Sequence, residues 1–212
     1  MPPIIILANG EMPPPQFLKK LCRKASAVVC ADGAYAKAVQ QGLFARWIVG
    51  DMDSLPPETP IGRGTVVVYD ADQDCSDLEK CIKLIAGGRP MAKYAPPPQE
   101  LWLLGAAGGR VDHTLAALSL TEKYSRPGLK IVIWDGASRI ELISGKSVFV
   151  AKRGALISLF PLGKALVSTH GLKFPLKKEW LAAGSRGVSN RAVSRRVSVE
   201  AHRGRLWLVQ AL

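Results

Sequence analysis

Short apolar runs of strand length recur along the first two thirds of the chain, and each stops abruptly at glycine or aspartate. Ile4–Leu7 runs into Ala8-Asn9-Gly10, Ala27–Ala31 into Asp32-Gly33-Ala34, and Trp47–Val49 into Gly50-Asp51-Met52-Asp53-Ser54. Val66–Tyr69 runs into Asp70-Ala71-Asp72-Gln73-Asp74, and Leu101–Leu104 into Gly105-Ala106-Ala107-Gly108-Gly109; Leu129–Trp134 is the sixth run. Apolar runs without polar alternation are the pattern of strands covered on both faces. Between them, Phe17, Leu18, Leu21 and Ala25 recur at helical spacing, as do Leu78, Cys81, Ile82 and Ile85, and Leu115, Leu118 and Leu120. Strands alternating with helices imply an α/β fold with a doubly wound, mainly parallel sheet, which binds ligands beyond the carboxyl ends of its strands. Every acid cluster just named lies at such an end.

The punctuation fills in the elements. A short helix from about Ala34 to Gln41 closes at Gly42, and Ser76 followed by Glu79 is a capping box that starts a helix at Ser76 or Asp77. Gly87-Gly88 ends that helix, and the stretch to Gln99, with Pro96-Pro97-Pro98, reads as a surface loop without chemistry. After about Ser138 the grammar changes. Arg139–Ile143, Ser147–Ala151, Ala155–Phe160, Ala165–Thr169, Val197–Ala201 and Leu206–Val209 are short runs with glycine-containing breaks, and Arg203-Gly204 reads as a tight hairpin turn between the last two. The expected division is an α/β domain over 1–137 and a small all-β, sandwich-like domain over 138–212.

With 212 residues, 48% of them hydrophobic, such a chain builds a core without staples. Cys22, Cys30, Cys75 and Cys81 are scattered without a CxxC pair, which argues against a zinc site or disulfide framework and for a reducing, cytoplasmic setting. Met1-Pro2-Pro3 carries no basic n-region, so the following apolar run is no signal peptide. A formal charge of +12 makes polyanions, from nucleotides to nucleic acid, plausible partners.

The chemistry starts at Asp51 and Asp53. Residues two apart in an extended or tightly turned backbone face the same side, and two carboxylates held that close ionise together only around a cation, with Mg²⁺ the natural choice. An ordinary strand-ending turn is the competing reading. Asn9-Gly10, Asp32-Gly33 and Gly105–Gly109 are glycine turns at one sheet edge, where N–H groups can meet phosphate. Asp77 at a helix start is equally a helix cap; Lys80, one turn on, is more naturally a solvated lysine than a phosphate ligand. Arg110 and Asp112 offer a cation for phosphate beside a carboxylate, or a plain salt bridge. His113 reads as a hydrogen-bonding neighbour; Arg186, Arg191, Arg195 and Arg196 read as a solvated basic segment.

Taken in order, Asn9-Gly10, Asp32-Gly33, Gly50–Ser54, Asp72–Asp77 with Lys80, Gly109–His113, Gly171-Leu172-Lys173-Phe174 and Gly187-Val188-Ser189-Asn190 resemble the thiamine pyrophosphokinase (thiamine diphosphokinase) family. The resemblance implies transfer of the β,γ-diphosphate of ATP to the hydroxyethyl group of thiamine, with AMP leaving and Mg²⁺ required. It implies that Asp51, Asp53 and Asp77 gather metal and phosphates, and that Asn9, Asp32, Gly33, Gln73, Lys80, Arg110 and Asp112 complete the ATP and catalytic site. Phe174, Ser189 and Asn190 would hold thiamine, with Phe174 or Trp180 stacked on its ring, in a homodimer whose partner subunits share each site. Ala34 stands where the family continues with glycine, and Ser76 where it has threonine.

Two other readings compete. The same acids would serve diphosphate transfer to another small alcohol such as a pterin. A basic nucleic-acid-binding protein on a degenerate enzyme fold is the other, and against it stand dispersed basic residues without the aromatic interleaving of RNA-binding surfaces.

Overall fold

The computed structural model describes residues 1–87 and 99–212, and the expected loop over 88–98 lies outside the described residues. The chain divides into two compact units, Met1–Gly136 and Ala137–Leu212.

In the first unit the apolar runs form six strands: β1 Ile4–Leu7, β2 Ala27–Ala31, β3 Trp47–Gly50, β4 Val66–Tyr69, β5 Glu100–Leu104 and β6 Lys130–Trp134. All are paired in parallel, in the order β6-β5-β1-β2-β3-β4. The chain steps outward from β1 to β4, then returns to lay β5 on the other side of β1. That reversal puts a topological switch point beside β1, the place where open α/β sheets accept ligands. The turns after β1 and β5 meet there, with Gly10 N donating to Gly105 O at 2.8 Å. Ile5, Ile6, Leu7, Ile48, Leu103 and Leu104 are wholly buried, as strands covered on both faces require. β4, at the edge, exposes Val66, Val67 and Tyr69, and its four residues keep that edge short.

Among the described residues four helices accompany the sheet: α1 Pro15–Cys22, α2 Asp32–Gln40, α3 Asp77–Ala86 and α4 Val111–Tyr124. α3 opens as its sequence dictates, Ser76 Oγ accepting from Glu79 N at 3.4 Å. α2 begins at Asp32, two residues before the expected start, so Asp32-Gly33 is a helix N-terminus and not a glycine turn. The Asp32 carboxylate accepts from Gly33 N at 2.6 Å, stabilising the first turn where an acid is favoured.

The second unit is all β: β7 Ser138–Val150, β8 Leu156–Pro161, β9 Lys164–His170, β10 Glu179–Ala182, β11 Asn190–Arg191 and β12 Arg196–Ala211. Two expectations fail here. Arg139–Ile143 and Ser147–Ala151 belong to one strand, and Val197–Ala201 and Leu206–Val209 to another, so Arg203-Gly204 is no hairpin turn. β12 stays antiparallel to β7 throughout, from Arg196↔Val150 to Ala211↔Ser138, with a shift in register between Ala201 and Leu206. At that irregularity β12 changes its other neighbour: Ser198–Arg203 pairs with β9, Leu206–Gln210 with β8. Gly204, at φ +76 with the Lys164 carbonyl only 2.3 Å from where a Cβ would sit, lets the strand bend. Two sheets sharing two bent strands result, and Ile157, Leu159, Val167, Leu181, Val199, Leu206 and Leu208 fill one core between them.

Candidate active site

The register of β2 and β3 decides where the acids meet. Ala31 lies beside Val49, so the next residues, Asp32 and Gly50, are neighbours at the carboxyl edge. A Cβ on Gly50 would lie 2.6 Å from both Cγ and Oδ2 of Asp32, so only glycine leaves room for that carboxylate. Beyond Gly50 the backbone turns sharply through Met52 at φ 65, a left-handed conformation that Met52 N secures by donating to Asp32 Oδ2 at 2.9 Å. The turn carries Asp51 and Asp53 back toward Asp32. Ligand oxygens of Asp32, Asp51 and Asp53 all lie within 4.8 Å of one another, the one such three-residue group among the described residues.

The three carboxylates are not equivalent. Asp32 is buried, and burial raises its pKa; the N–H groups of Gly33 and Met52 oppose the shift, while Asp77 and Asp51 add to it. Asp51 is held below the usual carboxylate range, first by the Gln73 side chain, whose Nε2 donates to Oδ2 at 2.8 Å, and then by Asp53 N. Asp53 accepts from Ser54 Oγ at 2.9 Å. Asp32 was expected to help hold the nucleotide; its place beside the other two is set by strand register, which no local spacing reveals.

Asp77 lies outside this trio and is paired with Lys80, Nζ to Oδ1 3.0 Å. Lys80 is only 3% exposed, so it is not the solvated lysine its sequence context suggested. Burial lowers its pKa, but the bond to Asp77 and the fields of Asp77, Asp51 and Asp70 outweigh burial and raise it. A permanent cation thus lies under the acid edge. A cavity of about 430 Å³ lined by Val49, Val68, Asp70, Lys80, Lys83, Leu84 and Gly87 opens beside it. In the turn after β4, Asp70 accepts from Asp72 N, and Asp72 from Asp74 N, at 3.0 and 2.9 Å, a run of side-chain-to-backbone bonds that fixes the loop bearing Gln73.

Asn9 and Gly33 pack together: a Cβ on Gly33 would come 2.3 Å from Asn9 Nδ2. Lys37 of α2, which the sequence reading passed over, anchors this corner by donating to the carbonyls of Asn9 and Gly10 at 2.9 and 3.3 Å. Arg110 and Asp112 form a two-bond pair at the start of α4, Nε–Oδ1 3.1 Å and Nη2–Oδ2 2.5 Å. Both side chains are well exposed, and Arg110 holds the Asp112 pKa down. His113 joins through its backbone N–H to Asp112 Oδ1, not through its ring.

Phe174, Ser189 and Asn190 meet on the second unit. Asn190 clasps the backbone of Phe174 from both sides, Oδ1 accepting from Phe174 N at 3.1 Å and Nδ2 donating to Phe174 O at 2.7 Å. Phe174 is 63% exposed, with Lys173 Nζ 5.3 Å from its ring centroid. Ser189 takes a left-handed conformation at φ 60, and its N–H donates to Ser158 Oγ at 3.0 Å. Trp180, on edge strand β10, carries Lys164 over its ring at 4.5 Å.

Two family models match this chain. The catalytic domain of thiamin pyrophosphokinase matches residues 18–133, and the vitamin B1 binding domain of thiamin pyrophosphokinase matches residues 147–206. Thiamine pyrophosphokinase 1 of Arabidopsis thaliana is 27% identical over 232 residues, which cover 97% of this chain and 85% of that protein. Thiamin pyrophosphokinase 1 of Caenorhabditis elegans is 24% identical, with 78% and 71% covered. Among solved structures, the thiamine pyrophosphokinase from Bacillus subtilis matches with a TM-score of 0.79 at 21% identity, 98% of each chain being covered. The yeast thiamin pyrophosphokinase matches at 0.77 and 19%, covering 99% of this chain and 86% of that one.

Proposed function

The chain belongs to the thiamin pyrophosphokinase family, and from that premise we infer where and how it acts. It is a diphosphotransferase that moves the β,γ-diphosphate of ATP to the hydroxyethyl group of thiamine, giving thiamine diphosphate and AMP. The observation that carries the assignment to a site is the convergence of Asp32, Asp51 and Asp53 at the carboxyl edge of the parallel sheet.

The donor set suits Mg²⁺: all three ligands are carboxylate oxygens, and Asp32, whose charge burial disfavours, gains from a cation beside it. Asp32, Asp51 and Asp53 would hold the ion, with Asp77 at its rim. When bound, it supplies neutralisation of phosphate charge. The remaining work falls to the chain. Gln73 fixes the orientation of Asp51. The turn at Gly105–Gly109 supplies N–H groups at the switch point, with Asn9 beside it, and Lys80 and Arg110 add positive charge for phosphate oxygens. The thiamine hydroxyl is a poor nucleophile at neutral pH, so an edge carboxylate, Asp112 or a member of the trio, orients it or takes its proton as the oxygen attacks the β-phosphorus.

Phe174, Ser189 and Asn190 hold thiamine, Asn190 acting through the backbone it clasps, and the working unit is a homodimer in the cytoplasm. Exposed Val111 and Leu115 on α4 and Phe174 on the second unit support a covering partner. Four free cysteines agree with a reducing compartment, and no helix among the described residues is long and apolar enough to cross a membrane.

Incubation with ATP, Mg²⁺ and thiamine tests the reaction: AMP and thiamine diphosphate should accumulate together, with no AMP when acceptor is omitted and none in excess EDTA. Accumulation of ADP, or equal turnover with a pterin alcohol, would overturn it. Site sharing is tested by mixing an Asp51→Asn chain with a Ser189→Ala/Asn190→Ala chain. Assayed at thiamine well below the KM of the second parent, hybrids of one parent slow in kcat and one weak in thiamine binding should regain one competent site; verified heterodimers without recovery would refute sharing.

A further inference from the structure

The net charge is distributed very unevenly. Met1–Gly136 holds 15 Lys and Arg against 14 Asp and Glu, a net +1; Ala137–Leu212 holds 14 against 3, a net +11. The three acids of the second unit are themselves engaged. Glu141 is buried against Arg139, Glu179 is bonded to Arg186, and Glu200 lies 3.6 Å from His202 Nδ1. A cationic acceptor gives no reason for so positive a unit.

Basic residues separated in sequence are gathered by the fold at one end of this unit. Ala151 N donates to Arg195 O, Gly154 N to Ala192 O, and Lys173 N to Arg191 O, at 3.0, 2.8 and 2.8 Å. Arg196 lies opposite Val150 in the ladder, and Arg191 Nη1 reaches Gly154 O at 3.3 Å. The turn after β7 and the segment entering β12 therefore bring together Lys152, Arg153, Lys173, Arg191, Arg195 and Arg196, all exposed. None of the six has an ion-pair partner among the described residues.

We propose that this end of the β unit is a docking surface for single-stranded nucleic acid, which adjoins the residues proposed to hold thiamine and takes no part in the diphosphate transfer. Four of the six are arginines, whose planar forks match the paired oxygens of a phosphodiester. The exposed residues between them are Gly154, Val193 and Ser194, with Val150 and Phe174 single large side chains at the border, whereas a surface seated on a bilayer presents a continuous apolar face beside its cations. Recognition runs through the phosphate backbone, so it is tolerant of sequence and sensitive to salt.

The test uses the intact protein and a fluorescent 20-nucleotide single-stranded RNA, read by anisotropy at two salt concentrations. Tight binding is expected at about 50 mM salt and a fall of an order of magnitude or more by about 200 mM. Lys152→Ala/Arg153→Ala/Arg195→Ala/Arg196→Ala should weaken binding at least about tenfold and flatten the salt dependence by up to about three log units per log unit of salt. Its thermal melt and diphosphokinase rate should stay those of the parent. Lys19→Ala/Lys20→Ala/Arg23→Ala/Lys24→Ala removes the same charge from the first unit and should leave binding within about twofold. No RNA binding at low salt overturns the proposal, as do equal losses in both quadruple variants, which would mean net charge alone. Tighter binding to phosphatidylserine vesicles than to RNA would assign the surface to a membrane instead.

Discussion

The two units of this protein place their functional residues by opposite means. In Met1–Gly136 the acids stand directly after short parallel strands, and the sheet delivers them to one edge whatever lies between. In Ala137–Leu212 the candidate acceptor residues sit on turns and on a two-residue strand, β11, positioned by antiparallel pairs between distant parts of the chain. The first arrangement fixes charge and suits chemistry on a polyphosphate; the second shapes a surface and suits recognition. Substitutions in the acid trio of the first should therefore act on kcat, and those in the second on the KM for thiamine.

The largest effect should come from the acid trio. Asp51→Asn or Asp53→Asn is expected to lower kcat by about 10²–10³ with an unchanged circular dichroism spectrum, because each removes charge from the proposed metal and phosphate site. Near-normal turnover at saturating Mg²⁺ would break the comparison at its root. Next comes Gly50→Ala, whose methyl group would collide with the Asp32 carboxylate. Displacing that group should cost about 10²-fold in kcat. Overpacking should add about 1–3 kcal/mol of destabilisation, both effects being readable from steady-state rates beside a thermal melt. A variant that loses stability but keeps its rate would show that Asp32 positioning is not needed.

In the second unit, Asn190→Ala removes the two hydrogen bonds that hold the Phe174 backbone and a third from Arg191 N. At about 1 kcal/mol each, partly compensated by water, the expected rise in KM for thiamine is roughly tenfold, with kcat and the KM for ATP little changed. A fall in kcat without a change in KM would contradict the assigned division of labour. Smallest is Arg110→Ala. Its pair with Asp112 is exposed, and such pairs contribute little to folding, so the melting temperature should hold while the KM for ATP rises several-fold. Loss of stability with intact ATP kinetics would make the pair structural.

Legibility followed the same divide. Asp51 and Asp53 could be read as a pair because both the apolar run and the spacing are local, and Ser76 with Glu79 marked the start of α3 for the same reason. Asp32 was read as a nucleotide contact and not as the third carboxylate, since its approach depends on the register Ala31↔Val49 and on the missing side chain of Gly50. The burial of Lys80 was likewise invisible: a lysine one turn from a helix start is ordinarily solvated, and only the packed acids around it make an interior position tolerable. In the second unit, two long strands read as two short runs each, and β10 and β11 carried no run at all. Glycine serves both a hairpin and a bend, and the sequence around Gly145 and Gly204 does not say which until β7 and β12 are seen paired along their whole length.

That long pairing also sets an order of events during synthesis. All six strands of the parallel sheet are translated before β7, so the first unit has every segment it needs early. The β unit does not. β12 contributes to both of its sheets and is translated after every strand it joins, so β7, β8 and β9 leave the ribosome with the edges that β12 will take unmatched. At about 5–20 residues per second the interval from Val150 to Arg196 lasts a few seconds, during which exposed edges are open to wrong partners. A nascent chain stalled before β12 should thus carry a protease-resistant first unit followed by a protease-sensitive tail that chaperones recognise.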